Sequence, residues 1–443
     1  MVLSRHVIIT PCPDRPGTSI LFSAKRGALI LVDDELLAAI GAGGLDADEE
    51  QILAELGFLV PDHASEQQEM RSFIDESNRV SRSFSALVIL NLSCNLACSY
   101  CFEGNRRGAH FMDDDTADRL VAYLISGPVA EGRSLSLRFY GGEPLLSVPT
   151  IRRIARPLKK VMDARGLSFS FSLTTNGTLL TRELVEELIP LGLVGATVTL
   201  DGPPDVHDAA RPFVGGEGSF SVILANLKAV ADLIALEIGG NFTPETYREY
   251  PRLFDLLVAE GLGPERLALM RFNAVMSAGE NRALPEFTGG CASVNEPWLK
   301  DATLFIREEL LRRGFPAPGL SPHFCAIEAE DSLIVNHDGT FYRCPAFIGI
   351  EGLAAGSLND GPSDHAASHG LGGWKNEECL SCAYLPLCFG GCRYYGYLEH
   401  GRIDRVSCGR DLFDAIVGPF LALEVKYRHQ PGEDSTDTDG DPD

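Results

Sequence analysis

Cys94, Cys98 and Cys101 stand in the run Asn91-Leu-Ser-Cys-Asn-Leu-Ala-Cys-Ser-Tyr-Cys-Phe102, directly after the apolar stretch Ala86-Leu-Val-Ile-Leu90. Three thiolates on one short loop hold three irons of a 4Fe–4S cluster and leave the fourth iron without a protein ligand. A cluster built only for electron transfer normally has four thiolates. A lone triplet therefore points to a small molecule at the open iron. Structural zinc wants four nitrogen or sulfur ligands, usually as two C-x2–4-C pairs, and one lopsided triplet fits that poorly. Disulfides need an oxidising compartment, and no hydrophobic signal peptide opens the chain.

Strand-like runs that end in turns follow the triplet in order. Leu135–Tyr140 leads into Gly141-Gly142-Glu143-Pro144, where glycines admit close backbone approach and the carboxylate can take an ammonium. Residues 168–175 alternate and end at Thr175-Asn176-Gly177. Ala196–Leu200 ends at Asp201-Gly-Pro-Pro, followed by His207-Asp208 and Arg211. Leu236–Thr243 and Leu267–Val275 read as two more strands, with amphipathic helices near 114–126, 148–164, 181–190, 219–234 and 245–260. Strands alternating with helices predict parallel βαβ units, with the site at the carboxyl ends of the strands.

The cysteine loop and the turns in this order resemble the radical SAM superfamily. The resemblance implies an α/β fold built as a partial (β/α)6 TIM barrel. It implies S-adenosylmethionine (SAM) on the open iron held by Cys94, Cys98 and Cys101, cleaved reductively to methionine and a 5′-deoxyadenosyl radical. Tyr100, Phe102, Gly141, Gly142, Glu143, Pro144, Thr175, Asn176, Thr199 and Arg211 become the expected SAM contacts. Of these, the 141–143 turn would take the amino group and Arg211 the carboxylate.

The other cysteines carry the second half of the argument. Of twelve in the chain, seven fall late: Cys325, then Gly339 and Cys344, then Cys379-x2-Cys382-x5-Cys388-x3-Cys392-x15-Cys408. The pattern resembles the SPASM extension of radical SAM enzymes and implies two auxiliary 4Fe–4S clusters, three in all. By that resemblance Cys379, Cys382, Cys388 and Cys408 ligate an outer cluster, and Cys325, Cys344 and Cys392 an inner one. Cys291 either completes the inner set or leaves an iron open to a substrate thiolate. Seven thiolates are too many for one zinc.

The first eighty residues show short strands at His6–Thr10, Ser19–Ser23 and Gly27–Val32. A helix capped by Asp33 or Asp34 and a second helix over 46–56 follow. Strands then helices predict a small α+β, winged-helix-like module. It resembles the leader-peptide recognition element of peptide maturases, whose ligand adds a strand to a sheet edge. Domains are expected at 1–80 (module and connector), 81–290 (barrel) and 291–427 (auxiliary clusters), with a disordered acidic tail over 428–443. The net charge of −24, from 38 basic and 62 acidic residues, disfavours nucleic acid as a partner, and no run is apolar enough to span a bilayer. Oxygen-sensitive clusters place the expected protein in the cytoplasm, fed by a flavodoxin or ferredoxin.

With Pro11–Pro16 and Gly57–Pro61 ahead of the cluster loop, the chain resembles the geopeptide-type maturases, of ranthipeptide or sactipeptide kind. That implies thioether crosslinking of a cysteine in a ribosomally made peptide. The alternatives are carbon–carbon crosslinking, anaerobic sulfatase maturation to formylglycine, and a non-enzymatic peptide-binding or redox-sensing module. Sulfatase maturases carry an Asp after the cysteine equivalent to Cys344; here Pro345 follows, leaving Glu328 or Asp338 as substitutes.

Overall fold

Phe169–Thr175 alternates strictly between buried and half-buried residues, so one face of this strand packs inward while the other stays accessible. Its neighbours share that logic. Six strands, Ser83–Asn91, Ser134–Gly141, Phe169–Thr175, Leu193–Thr199, Ala235–Phe242 and Leu269–Ala274, lie side by side in chain order and pair in parallel. In this computed structural model, residues 1–101, 103–276, 291 and 293–428 are described. Phe102, the 277–290 stretch with its Thr288-Gly-Gly run, and the tail beyond residue 428 lie outside them.

Helices return the chain between strands. Asp113 caps Asp114–Ser126 through the Thr116 amide at 2.8 Å. Val148–Ala164 buries Ile151, Ile154, Ala155, Leu158 and Met162, one stripe at helical spacing. Arg182–Leu188, Phe220–Val230 and Tyr250–Ala259 complete the set. Their apolar stripes and the strands' inward residues, such as Phe139, Phe171 and Val198, make one continuous core. The observed helices match the predicted ones to within a few residues, because each carries its own cap and stripe.

The sheet does not close on itself. Beside the first strand runs Ser332–Val335, parallel to it, followed by the antiparallel Phe341–Tyr342. These two strands form a hairpin that turns at Gly339 and extends the barrel sheet to eight strands, across the boundary expected at residue 290. Only the far end of the chain supplies this pairing, so local pattern could not announce it.

The amino-terminal module is an antiparallel sheet of Val7–Pro11, Thr18–Ser23 and Leu29–Asp33, with Thr18–Ser23 in the middle. Asp33 caps Asp34–Ala42, and a reciprocal Asp46/Glu49 capping box starts Ala47–Glu55. The connector is the helix His63–Val80. Its Met70 and Ile74 share a core with Trp374, Leu380, Leu385 and Phe389, and Phe73 stacks on Phe389 at 5.2 Å. The module thus reaches the late cysteine segment. Phe73→Ala should cost about 2 kcal/mol, less than a fully buried Phe because Phe73 is half-buried. Denaturant unfolding of the iron-free protein measures it; a change under about 0.5 kcal/mol would mean the stacking carries no stability.

Candidate active site

The cysteine loop leaves the first strand at its carboxyl end and is pinned from the far side of the sheet. Ala97 N donates to Pro212 O at 2.8 Å, Ser99 N to Ala210 O at 3.1 Å and Val214 N to Asn95 O at 3.0 Å. Burial pushes the Cys98 thiol up to about 11 and raises those of Cys94 and Cys101. No disulfide joins any of the twelve cysteines. Metal binding here must displace protons, since thiolate is the ligand.

Gly141 and Gly142 press against this loop. A Cβ on Gly141 would lie 2.3 Å from Asn91 O, and one on Gly142 2.3 Å from Ser93 O, so only glycine fits either position. Gly142 N and Glu143 N donate to those same carbonyls at 3.0 and 2.8 Å. The Glu143 carboxylate is fully buried and accepts from Leu145 N (2.9 Å), Thr175 Oγ1 (2.7 Å) and Asn176 N (2.8 Å). Burial raises its pKa while these three donors pull it back. Besides the expected ammonium contact, Glu143 thus has a structural task, tying the second strand's turn to the third. Pro144 is buried and opens the short 3₁₀ turn that follows.

Asn176 extends the link. Its Nδ2 donates to Asn95 Oδ1 at 2.8 Å and approaches Cys94 Sγ at 3.7 Å, while its Oδ1 accepts from Thr178. Thr199 is half-buried at the end of the fourth strand. Arg211 Nη1 donates to Tyr100 Oη at 2.8 Å and lies 3.8 Å from Asp201, and Tyr100 Oη donates to Asp201. Arg211 Nε is buried without an acceptor, which leaves one donor for an anion. Nine of the ten expected SAM contacts are described. They line the ends of four successive strands and the turns beyond them.

Sequence reasoning missed Asp201, Asn241 and Glu103. Asp201 Oδ1 accepts from Asn241 N at 2.7 Å, and Asn241 Nδ2 reaches Tyr100 Oη at 3.2 Å, so the fifth strand joins the site through Asn241. The Gly-Gly-Asn break in that strand was the available signal. Glu103, two residues past Cys101, has a buried oxygen with no partner, and burial pushes it up to about 7.

His207 holds the Arg211 turn. Its Nδ1 accepts from Asp201 N at 3.3 Å, so Nε2 carries the proton to Ser219 Oγ at 3.1 Å, and that hydroxyl donates to Arg211 O. Burial lowers His207 from 6.5 to about 3. The unfolded chain therefore binds a proton that the folded one refuses between those values. Stability should fall by roughly 1.4 kcal/mol per pH unit below about pH 6 through this residue. The stability gap between wild type and His207→Gln should narrow on acidification from pH 7 to 5; parallel profiles would refute the assignment.

Cys379, Cys382, Cys388 and Cys408 line one cavity, with Asn376 Nδ2 3.5 Å from Cys379 Sγ. Cys325, Cys344 and Cys392 pack against a different core, beside Tyr140 and Met276. Cys291 is fully buried, donates to Ser293 O at 2.8 Å and contacts Tyr395. The two substitute acids are otherwise engaged: Glu328 pairs with Arg393 at 2.8 Å, and Asp338 caps the hairpin turn through Thr340 N at 2.9 Å. No three Cys, His, Asp or Glu among the described residues stand close enough for one metal ion. Ligands of a tetrahedral zinc crowd at about 2.3 Å from one centre. Those of an iron–sulfur cluster bind separate irons and stand farther apart. No helix among the described residues is long and apolar enough to cross a membrane.

Residues 88–257 match the model of the radical SAM superfamily. The chain is 31% identical over 328 residues to the cysteine-type anaerobic sulfatase-maturating enzyme of Clostridium novyi, covering 68% of this chain and 85% of that one. It is 25% identical to the PqqA peptide cyclase of Rhodopseudomonas palustris, covering 74% and 88%. In fold it resembles native anSMEcpe with bound AdoMet (TM-score 0.59, 19% identity, 77% of this chain and 97% of that one). It also resembles Streptococcus suis SuiB bound to the precursor peptide SuiA (TM-score 0.53, 14% identity, 92% and 98%). The chain belongs to the radical SAM superfamily, in the peptide- and protein-maturing family that includes the anaerobic sulfatase-maturating enzymes.

Proposed function

We propose that this enzyme forms thioether crosslinks between a cysteine and a carbon of an acceptor residue in a ribosomally made peptide. The observation that carries this reading is the inner cysteine set: Cys325, Cys344 and Cys392 share a core, and Cys291, which bridges Met276 beside that core, directs its thiol to Ser293 O and Tyr395. A cluster held by three protein thiolates leaves an iron for the peptide's own thiolate. Cys94, Cys98 and Cys101 hold the SAM cluster, and Cys379, Cys382, Cys388 and Cys408 the outer one. When bound, the cluster and SAM supply a 5′-deoxyadenosyl radical that takes a hydrogen from the peptide.

The chain's own residues bind and orient. The Gly141–Glu143 turn receives the methionine amino group through the backbone that the two glycines bring forward. Arg211 offers its unpaired Nε to the carboxylate while Tyr100 and Asp201 hold its other edge. Asn176 and Asn95 keep the cluster loop in register with the third strand. The module over residues 1–80 receives the peptide's leader, whose simplest docking is strand addition at an edge, Val7–Pro11 or Leu29–Asp33. A flavodoxin or ferredoxin donates the electron in the cytoplasm.

Anaerobic sulfatase maturation is the second reading, favoured by the 31% identity to a sulfatase-maturating enzyme. Pro345 after Cys344, with Glu328 and Asp338 both engaged in structural contacts, weighs against it. The test is anaerobic: reconstituted protein, SAM, dithionite and a Cys-containing precursor peptide, read by mass spectrometry with and without alkylation. Loss of a pair of hydrogens together with one cysteine that no longer alkylates is the expected result. The same mass loss with every cysteine still alkylatable means carbon–carbon crosslinking, and conversion of Cys to formylglycine means sulfatase-type chemistry; either overturns the thioether reading.

A further inference from the structure

The parallel strands bury one face under the helices and leave the other, concave face polar. Leu135, Leu137 and Phe139 lie in the helix-side core, so Arg138, which alternates with them, points to the concave side. Met270 lies in the same core, and Phe272 packs on Tyr250 and Phe254 with ring centres 4.5 and 5.4 Å apart. Arg271 stands between those two and is concave as well. Both arginines are exposed, and among the described residues neither guanidinium makes a hydrogen bond or an ion pair. Glu237 shares this face, but its carboxylate accepts from Thr197 Oγ1 at 2.7 Å and from neither arginine.

Strand register places both arginines beside the candidate site. Arg271 pairs with Gly239, and Gly239 with Thr199, one of the expected SAM contacts. Neighbouring strands lie about 4.8 Å apart, so about 10 Å separates the backbones of Thr199 and Arg271. Gly239 puts no side chain into that gap. Two residues further on, Asn273 pairs with Asn241, which reaches Tyr100 and Asp201. Four strands away, Arg138 pairs with Ser172 and precedes Tyr140 by two residues. Tyr140 packs against the same core as Cys325, Cys344 and Cys392. One arginine therefore stands on the SAM side of the concave face and the other on the inner-cysteine side. In a chain of 62 acidic and 38 basic residues, an acid partner for each was easy to supply, and the fold supplies none. Water satisfies the two guanidiniums in the free protein, and an incoming carboxylate can replace that water with a bidentate pair.

We propose that Arg271, with Arg138 on the facing side, binds a side-chain carboxylate of the core peptide close to the acceptor residue, so that the enzyme selects acidic core peptides. The inference rests on the reading of the chain as a peptide-modifying enzyme, and not on which bond that enzyme forms. The overall charge of −24 works in the opposite direction, because its field draws cations. A preference for acidic peptides must therefore come from local groups. Arg271 and Arg138 act here on binding and specificity, while the radical chemistry belongs to the cofactor.

The test is a selection under anaerobic conditions. The iron-loaded, SAM-bound full-length protein is immobilised without reductant and offered a synthetic peptide pool with one fixed cysteine and randomised flanks. Mass spectrometry reads the retained peptides against the input. Asp and Glu should be enriched near the cysteine, and added salt should erase the enrichment. Arg271→Gln should weaken binding of the enriched peptides about tenfold, the scale of one charge-assisted contact. Arg138→Gln should weaken it in the same direction, and Arg271→Glu should turn the selection toward Lys and Arg. Both positions are exposed, so iron content should stay at the wild-type level in every variant. Enrichment of neutral or basic peptides by the wild type would overturn the proposal, and so would acidic enrichment that survives Arg271→Gln. Retention of no peptide would overturn the peptide reading itself and this inference with it. The thioether reading is decided by the alkylation assay and survives either outcome of the charge selection.

Discussion

Replacing Cys94, Cys98 and Cys101 with alanine should abolish 5′-deoxyadenosine formation and lower the iron content by about four atoms per chain. The fold should survive, because the loop is held by backbone bonds to Pro212, Ala210 and Val214 and not by the thiols. The late cysteines line a separate cavity and pack against a separate core, so their iron should remain. Iron analysis, circular dichroism and chromatography of reduced SAM mixtures measure all three. Loss of all iron would mean the cysteine groups assemble as one unit, and residual 5′-deoxyadenosine would move the SAM site elsewhere.

Gly142→Ala should be nearly as damaging, for a steric reason. The added Cβ meets Ser93 O at 2.3 Å and Leu92 C at 3.0 Å, and both contacts are backbone that cannot rotate away. Overpacking costs about 1–3 kcal/mol where side chains can adjust, and here the turn itself must move. Its displacement breaks the Glu143 N to Ser93 O bond and shifts the Glu143 carboxylate from Thr175 and Asn176. SAM affinity should weaken by roughly 10- to 100-fold, since about 1.4 kcal/mol is tenfold. Equilibrium dialysis with labelled SAM on the iron-loaded protein reads this out. Unchanged affinity would show that the turn does not touch the cofactor.

Most of the barrel was legible in the sequence. Each strand carried its own alternation and each helix its own stripe, as in Phe169–Thr175 and Val148–Ala164. The expected SAM contacts came from the family resemblance of short, local turns such as Gly141-Gly142-Glu143 and Asn176-Gly177. Asp201 was read only as a turn residue and Asn241 only as part of a strand, because each does its work through a partner about forty residues or more away in the chain. Neither spacing nor composition marks such a pair.

The sequence by itself determined the alternating strand–helix order, the three-cysteine loop and the grouping of the late cysteines, since all of these are written in local spacing. Tertiary structure alone decided that Ser332–Val335 joins the barrel sheet, that Phe73 of the connector stacks on Phe389, and that Arg271 falls in register with Gly239 and Thr199. The physical reason is the same in each case. A hydrogen bond, a ring contact or a strand register depends on which distant segment fills the space beside it, and that is settled only when the core packs.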